Sequence, residues 1–160
     1  MALELFRSQG YEATTLRQIA QGLDVTAAAL YYHFPAKDEI LVTLVDPLIE
    51  GLEEILEVDG ESPEHLLDMY LELLVREHAL ANLLAHDPAA SNHPEIGPRR
   101  RRLFEALETR VAGTRAAQAD RTRAFCAIHV VRSIASMPIE RARRARPVVL
   151  RAALAVLADR

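Results

Sequence analysis

Residues 14–41 read TTLRQIAQGLDVTAAALYYHFPAKDEIL. Thr15 and Gln18 stand at the spacing of a capping box, in which the threonine hydroxyl accepts from the glutamine amide while the glutamine side chain reaches back to the threonine amide. A short helix is therefore expected to follow Thr15 and to carry Leu16, Ile19, Ala20 and Leu23 inward. Asp24 suits a left-handed turn position. Thr26 can cap the next short helix, which runs through Tyr32. Upstream, Leu3, Phe6 and the aliphatic part of Arg7 form an amphipathic stretch that stops at Gly10, a good residue just beyond a helix end.

Working outward, nearly every segment keeps apolar residues at three-and-four spacing, so the expected class is all-α. Asp38 or Pro35 opens a long fourth helix carrying Ile40, Leu41, Leu44, Leu48, Leu52, Ile55 and Leu56, with Pro47 inside it as an expected bend. Ser62-Pro63-Glu64 starts a fifth helix, expected to reach about Leu84. Residues 86–98, rich in Pro, Asn and Gly, read as a loop with room for one helical turn. Further helices are expected from Arg99 to Val111, ended by Gly113, and over about 117–136. The last is expected from near Pro147 to Ala158. That helix is apolar nearly all round and needs cover on more than one side, which favours pairing between two subunits.

With 160 residues, 50% hydrophobic and 26% charged, the chain suits one compact domain or two small ones, and disorder is excluded. The formal net charge of −4 argues against a binder that works through bulk positive charge. The charge is unevenly placed. Residues 1–46 hold 3 basic and 6 acidic side chains, residues 47–98 hold 1 and 12, and residues 99–160 hold 15 and 5. Such asymmetry fits either an anionic partner for the basic end or two halves of one fold that face each other with opposite sign. The lone cysteine, Cys126, cannot form an internal disulfide. No run approaches the ~20 apolar residues of a membrane span, and the first residues lack a signal-peptide pattern, so a cytoplasmic protein is expected.

Two short helices over 15–34 have the size of a helix-turn-helix. Their detail is more specific than their size. The pattern formed by Thr14-Thr15, Ile19-Ala20, Val25-Thr26, Leu30-Tyr31-Tyr32-His33-Phe34, Lys37-Asp38 and Leu41 closely resembles the DNA-binding domain of the tetracycline-repressor (TetR) family. The resemblance covers residues 1 to about 50. It implies a three-helix DNA-binding domain over 1–46 and a helical ligand-binding and dimerisation domain over 47–160. It also implies about two helical turns ahead of Ala2, so the first helix is expected to be a shortened one.

The expected partners are a double-stranded DNA operator, a largely apolar small-molecule effector, and a second copy paired through the last two helices. The implied function is a ligand-released repressor of transcription. Thr15 and Thr26, with the helix ends they cap, can donate to phosphates, and Lys37 is a point charge suited to the same target. Arg17 is the candidate for a bidentate guanine contact. Ala27, Ala28 and Ala29 can touch only thymine methyls, which shifts specificity toward Arg17, the tyrosines and DNA shape. Tyr31 and Tyr32 lie ~100° apart on the helix, so one is expected to reach the DNA backbone and the other to pack inward. Phe6 and Phe34 are expected in the core, and His33 is a phosphate-contact candidate. With three cations per 46 residues, the salt dependence of DNA binding is expected to be shallow.

The family resemblance implies a ligand cavity. Its candidate lining is Met69, Tyr70, Leu73, His78, Phe104, Phe125 and His129, each of which is otherwise ordinary core. No catalytic constellation emerges: the histidines lack metal-ligand spacing and Cys126 lacks an activating base. No enzyme activity, cofactor or metal is expected. The reading from a different class is a helical interaction protein whose Arg99-Arg100-Arg101-Arg102 run binds an acidic partner, DNA binding having been lost with the shortened N-terminus.

Overall fold

A computed structural model of the chain describes residues 1–159, and all of their regular elements are helical. Arg160, the last residue of the expected second domain, lies outside the described residues. Helix α1 spans Ala2–Gln9 and ends at Gly10, whose φ of 92° is open to glycine but strained for other residues. Helix α2 spans Leu16–Gly22 and starts on the expected box: Gln18 N donates to Thr15 Oγ1 at 3.2 Å, and Thr15 N donates to Gln18 Oε1 at 2.8 Å. Asp24 takes the turn at φ 56°. Helix α3, Ala27–His33, is capped by Thr26 Oγ1, which accepts from Ala29 N at 3.1 Å. Leu16, Ile19, Ala20 and Leu30 are buried against Phe6 and Tyr11. Leu23 is not: α2 has ended at Gly22, and Leu23 turns outward at 49% exposure.

Helix α4 runs unbroken over Lys37–Glu57 and contains Pro47, crossing the expected domain boundary. Its buried stripe of Ile40, Leu41, Val45, Leu48, Leu52 and Ile55 joins the N-terminal helices to the rest of the core. Helix α5, Pro63–Arg76, is capped by Ser62 as expected but stops well short of Leu84. A single non-helical residue, Glu77, separates it from α6, His78–His86. No glycine or proline marks that break, so local signals could not show it. Gly51 lets α4 and α5 approach closely, since a Cβ there would stand 2.5 Å from Leu73 Cδ1.

The expected loop turn is α7, Pro88–Ser91, capped by Asp87. Helix α8, Ile96–Ala112, begins before Arg99 because Gly97 and Pro98 occupy its first turn, where a missing amide donor costs little. Helix α9 spans Gln118–Arg132, and a 3₁₀ turn over Ser133–Ser136 follows. Helix α10, Ile139–Ala158, starts roughly two turns before Pro147, which it holds inside. The intervening Arg- and Ala-rich stretch is a strong helix former and overrides the proline signal. In the fold the oppositely charged segments do face each other. Arg99 reaches Asp46 at 3.2 Å and Glu53 at 2.7 Å on α4, and Arg146 reaches Asp68 at 2.6 Å and Glu72 at 3.0 Å on α5.

Candidate nucleic-acid interface and effector cavity

The α2–turn–α3 unit presents one continuous exposed face. Thr15, Arg17, Thr26, Ala28, Ala29, Tyr31, Tyr32 and His33 are all exposed, while Ala27 and Lys37 are half-buried. Neither tyrosine packs inward: Tyr31 is 50% and Tyr32 84% exposed, with the Tyr32 ring edge-on to His33 at 5.2 Å. A bundle this small meets its need for large core side chains through Phe6 and Tyr11, whose rings meet edge-on at 5.2 Å. Phe34 is only half-buried against that core. Uncovered aromatic surface costs free energy in an isolated domain, so two adjacent exposed tyrosines suit a face that meets a partner. Arg17 forms no ion pair among the described residues and projects freely from α2. The hydroxyl proton of Thr15 is committed to Gln18 Oε1 at 2.9 Å. That of Thr26 has no partner among the described residues, which leaves it to donate outward.

Lys37 is engaged rather than free. Its Nζ donates to Tyr11 O at 2.6 Å and Glu12 O at 3.2 Å, and lies 4.3 Å from the Tyr11 ring centroid. Tyr11 is the centre of a latch between the N-terminal helices and the α6–α7 segment. Its hydroxyl donates to Asp38 Oδ1, its amide donates to Asp87 Oδ2 at 2.6 Å, and buried His93 places Nε2 3.5 Å from Asp38 Oδ2. The Tyr11 hydroxyl bond holds the Asp38 carboxyl below the usual carboxylate range; burial opposes it, and His93 and Lys37 add smaller lowering effects. Burial and the same carboxylate push the Tyr11 phenol well up. A second tie links Arg7 Nε to Asn82 Oδ1 at 3.3 Å, and Asn82 Nδ2 to the Ala135 carbonyl at 2.8 Å.

Ala135 borders a cavity of about 440 Å³ enclosed by α4, α5, α6, α8, α9 and the 3₁₀ turn. That volume lies within the ~300–1,000 Å³ range of small-molecule pockets. Leu48, Ile49 and Leu52 of α4 form one wall, and Tyr70, Leu74 and Leu84 form another. Tyr70 meets Phe104 edge-on at 6.1 Å. Arg100 and Arg132 enter from α8 and the end of α9. Burial and the neighbouring Arg132 lower the proton affinity of Arg100.

Residues 1–44 match the model for the bacterial regulatory proteins of the tetR family. The N-terminal part of the chain is similar to the DNA-binding part of that family. The transcriptional regulator TcmR of Streptomyces glaucescens is 42% identical over 64 residues, which are 39% of this chain and 28% of that protein. The negative transcriptional regulator IcaR of the biofilm operon of Staphylococcus aureus is 32% identical over 73 residues, 46% of this chain and 39% of that protein. The chain thus shares well under half the length of these curated relatives. Among solved structures, a TetR-family regulator from Streptomyces coelicolor superposes with a TM-score of 0.75 at 19% identity, covering 99% of this chain and 89% of that one. AmtR from Mycobacterium smegmatis superposes with a TM-score of 0.59 at 27% identity, covering 99% and 83%. TcmR and IcaR are transcriptional regulators by name.

Within this TetR-family fold the expected cavity residues part company. Tyr70, Phe104 and His129 line the cavity. Phe125 stacks on His129 at 4.0 Å over an adjoining depression. Buried His78 faces another depression, beside Arg7 and Arg143. Met69 and Leu73 serve core packing, Leu73 against Gly51. Arg100 and Arg132 were missed, although a signal existed: Arg100, Phe104, Leu107 and Val111 follow helical spacing and share one stripe. The four consecutive arginines do not act as one patch. Arg99 is bound to α4, Arg100 faces the cavity, and only Arg101 and Arg102 are exposed.

Proposed function

We propose that this chain is a ligand-responsive transcriptional repressor of the TetR family that binds a palindromic operator as a homodimer. The observation that carries the reading is the continuity of α4, which starts at Lys37 beside the exposed helix-turn-helix and, about three to four turns later, supplies Leu48, Ile49 and Leu52 to the cavity wall. A ligand that repositions α4 moves α3 with it and changes the spacing of the two recognition helices. Residues 1–46 act as the DNA-binding part and 47–160 as the effector and dimer part. Arg17 reads a guanine edge and Ala27, Ala28 and Ala29 meet thymine methyls. Thr26, Tyr31, Tyr32 and His33 hold the phosphate backbone, and Thr15 contributes through the helix end it caps, while Lys37 braces the Tyr11 turn.

The dimer forms through α9 and α10. Phe125 and Val148 are 49% and 57% exposed there, and Val148, Ala152 and Ala155 form an uncovered small-residue stripe at helical spacing. Operator binding implies a cytoplasmic location. No helix among the described residues is long and apolar enough to cross a membrane. The test is selection of genomic DNA fragments on the purified chain, with light scattering of the complex. A recovered inverted repeat bound by two chains is expected; no enriched sequence, or a monomer on DNA, overturns the reading.

A further inference from the structure

Two cations face the cavity without an anion. The Arg132 guanidinium carbon lies 4.5 Å from the Phe104 ring centroid and that of Arg100 lies 5.9 Å from it. Among the described residues neither forms an ion pair, and Arg100 Nε is buried with no hydrogen-bond partner. The contrast with the neighbouring Arg99 is sharp, since Arg99 is bridged to both Asp46 and Glu53. Like charges that share a partly desolvated site are costly unless a counter-charge joins them.

Two further groups converge on the same place. The buried Tyr70 phenol has its proton affinity raised by burial and pulled back by both arginines, so it stands within their field. His129 donates Nδ1–H to the Phe125 carbonyl at 2.9 Å, which leaves its Nε2 unassigned at the cavity edge. Glu105 and Glu108 border the adjoining depression and pair with neither arginine. The opposite wall of Leu48, Leu52 and Leu74 carries no charge at all.

We propose that the cavity takes a small amphipathic anion, its carboxylate-type head held between Arg100 and Arg132 and its apolar body against Leu48, Leu52 and Leu74. This rests on the effector reading above and specifies its ligand class. The planar guanidinium suits a two-oxygen head, and stacking on Phe104 holds it in orientation. The ligand supplies the missing counter-charge, so it binds the cavity better than an equally apolar neutral molecule does.

The test is fluorescence titration of the full chain with 2-naphthoate and with its neutral isostere 2-naphthamide. The chain has no tryptophan to mask naphthalene emission. Naphthoate is expected to bind at least about ten-fold more tightly. In the Arg100→Met, Arg132→Met double variant, which keeps long side chains against Phe104, the preference falls to within about two-fold, and in Arg100→Lys it is retained. Equal affinity of the two probes for the parent chain overturns the anion assignment while leaving the effector cavity standing, and this comparison needs no variant to fold. Binding of neither probe overturns both. Preference for naphthoate with no change in operator affinity upholds the anion assignment and overturns the effector role.

Discussion

At the helix-turn-helix end Arg17 stands alone in solvent on a helix pair otherwise lined by threonine, alanine and tyrosine, whereas in the cavity Arg100 and Arg132 stand together on one phenylalanine. The first region is poor in charge and rich in placed shape. The second concentrates charge where solvent is reduced. The chain's positive charge lies mostly after residue 98, where Arg99 and Arg146 are answered by the acidic α4 and α5. Arg100 and Arg132, turned into the cavity, have no such partner among the described residues. Net charge therefore says little about what this protein binds, and the position of each cation says a great deal.

The comparison breaks most severely if the two regions are uncoupled at their shared core. Leu41 is fully buried in the first turns of α4, where the N-terminal helices meet the rest of the core. Leu41→Ala is expected to cost about 2–5 kcal/mol, read by denaturant or thermal unfolding, with loss of operator binding. Next in size is Arg17→Ala, expected to cost about 1–3 kcal/mol of operator binding and to relax selection at one base pair per half-site. A uniform loss across all sequences would instead make Arg17 a phosphate contact.

Smaller effects probe the latch between the regions. Asp38→Asn weakens the bond from Tyr11 and the approach of His93 and is expected to cost at most about 1 kcal/mol, since Asp38 is largely exposed. Because its folded value is depressed, the carboxylate contributes fully above its unfolded pKa of about 3.9 and loses that contribution as pH falls through the lower folded value. The parent chain should therefore lose stability more steeply than the variant on acidification in that range, checked by melts at successive pH values. Smallest is Arg99→Met, which removes a half-exposed bridge to Asp46 and Glu53. Its cost is expected to stay below about 1 kcal/mol and to shrink further with added salt.

The helix-turn-helix was legible because its signals are local. Thr15, Gln18, Asp24 and Thr26 act within a few residues of themselves, and each does in the structure what its chemistry suggests. The α5–α6 break at Glu77 and the early start of α10 were not legible, since tertiary packing makes the first and helix propensity overrides Pro147 in the second. Burial on the two short helices was less legible: Leu23 and one of the two tyrosines are expected inward, yet Leu23 and both tyrosines face solvent because α2 and α3 have so little core to cover. The cavity was half legible. Its aromatic residues stood out, but Arg100 was hidden in an arginine run whose members point in four directions at ~100° per residue.

The account's central claim is that specific DNA binding comes from placed helices in a dimer and not from bulk charge. Its most direct measurement is fluorescence anisotropy of the selected palindrome and of a scrambled duplex across a series of salt concentrations. Expected is a preference for the palindrome of at least about 10³, with a salt slope matching no more than about six phosphates per dimer. Equal affinity for the two duplexes, with a steeper slope, would contradict it.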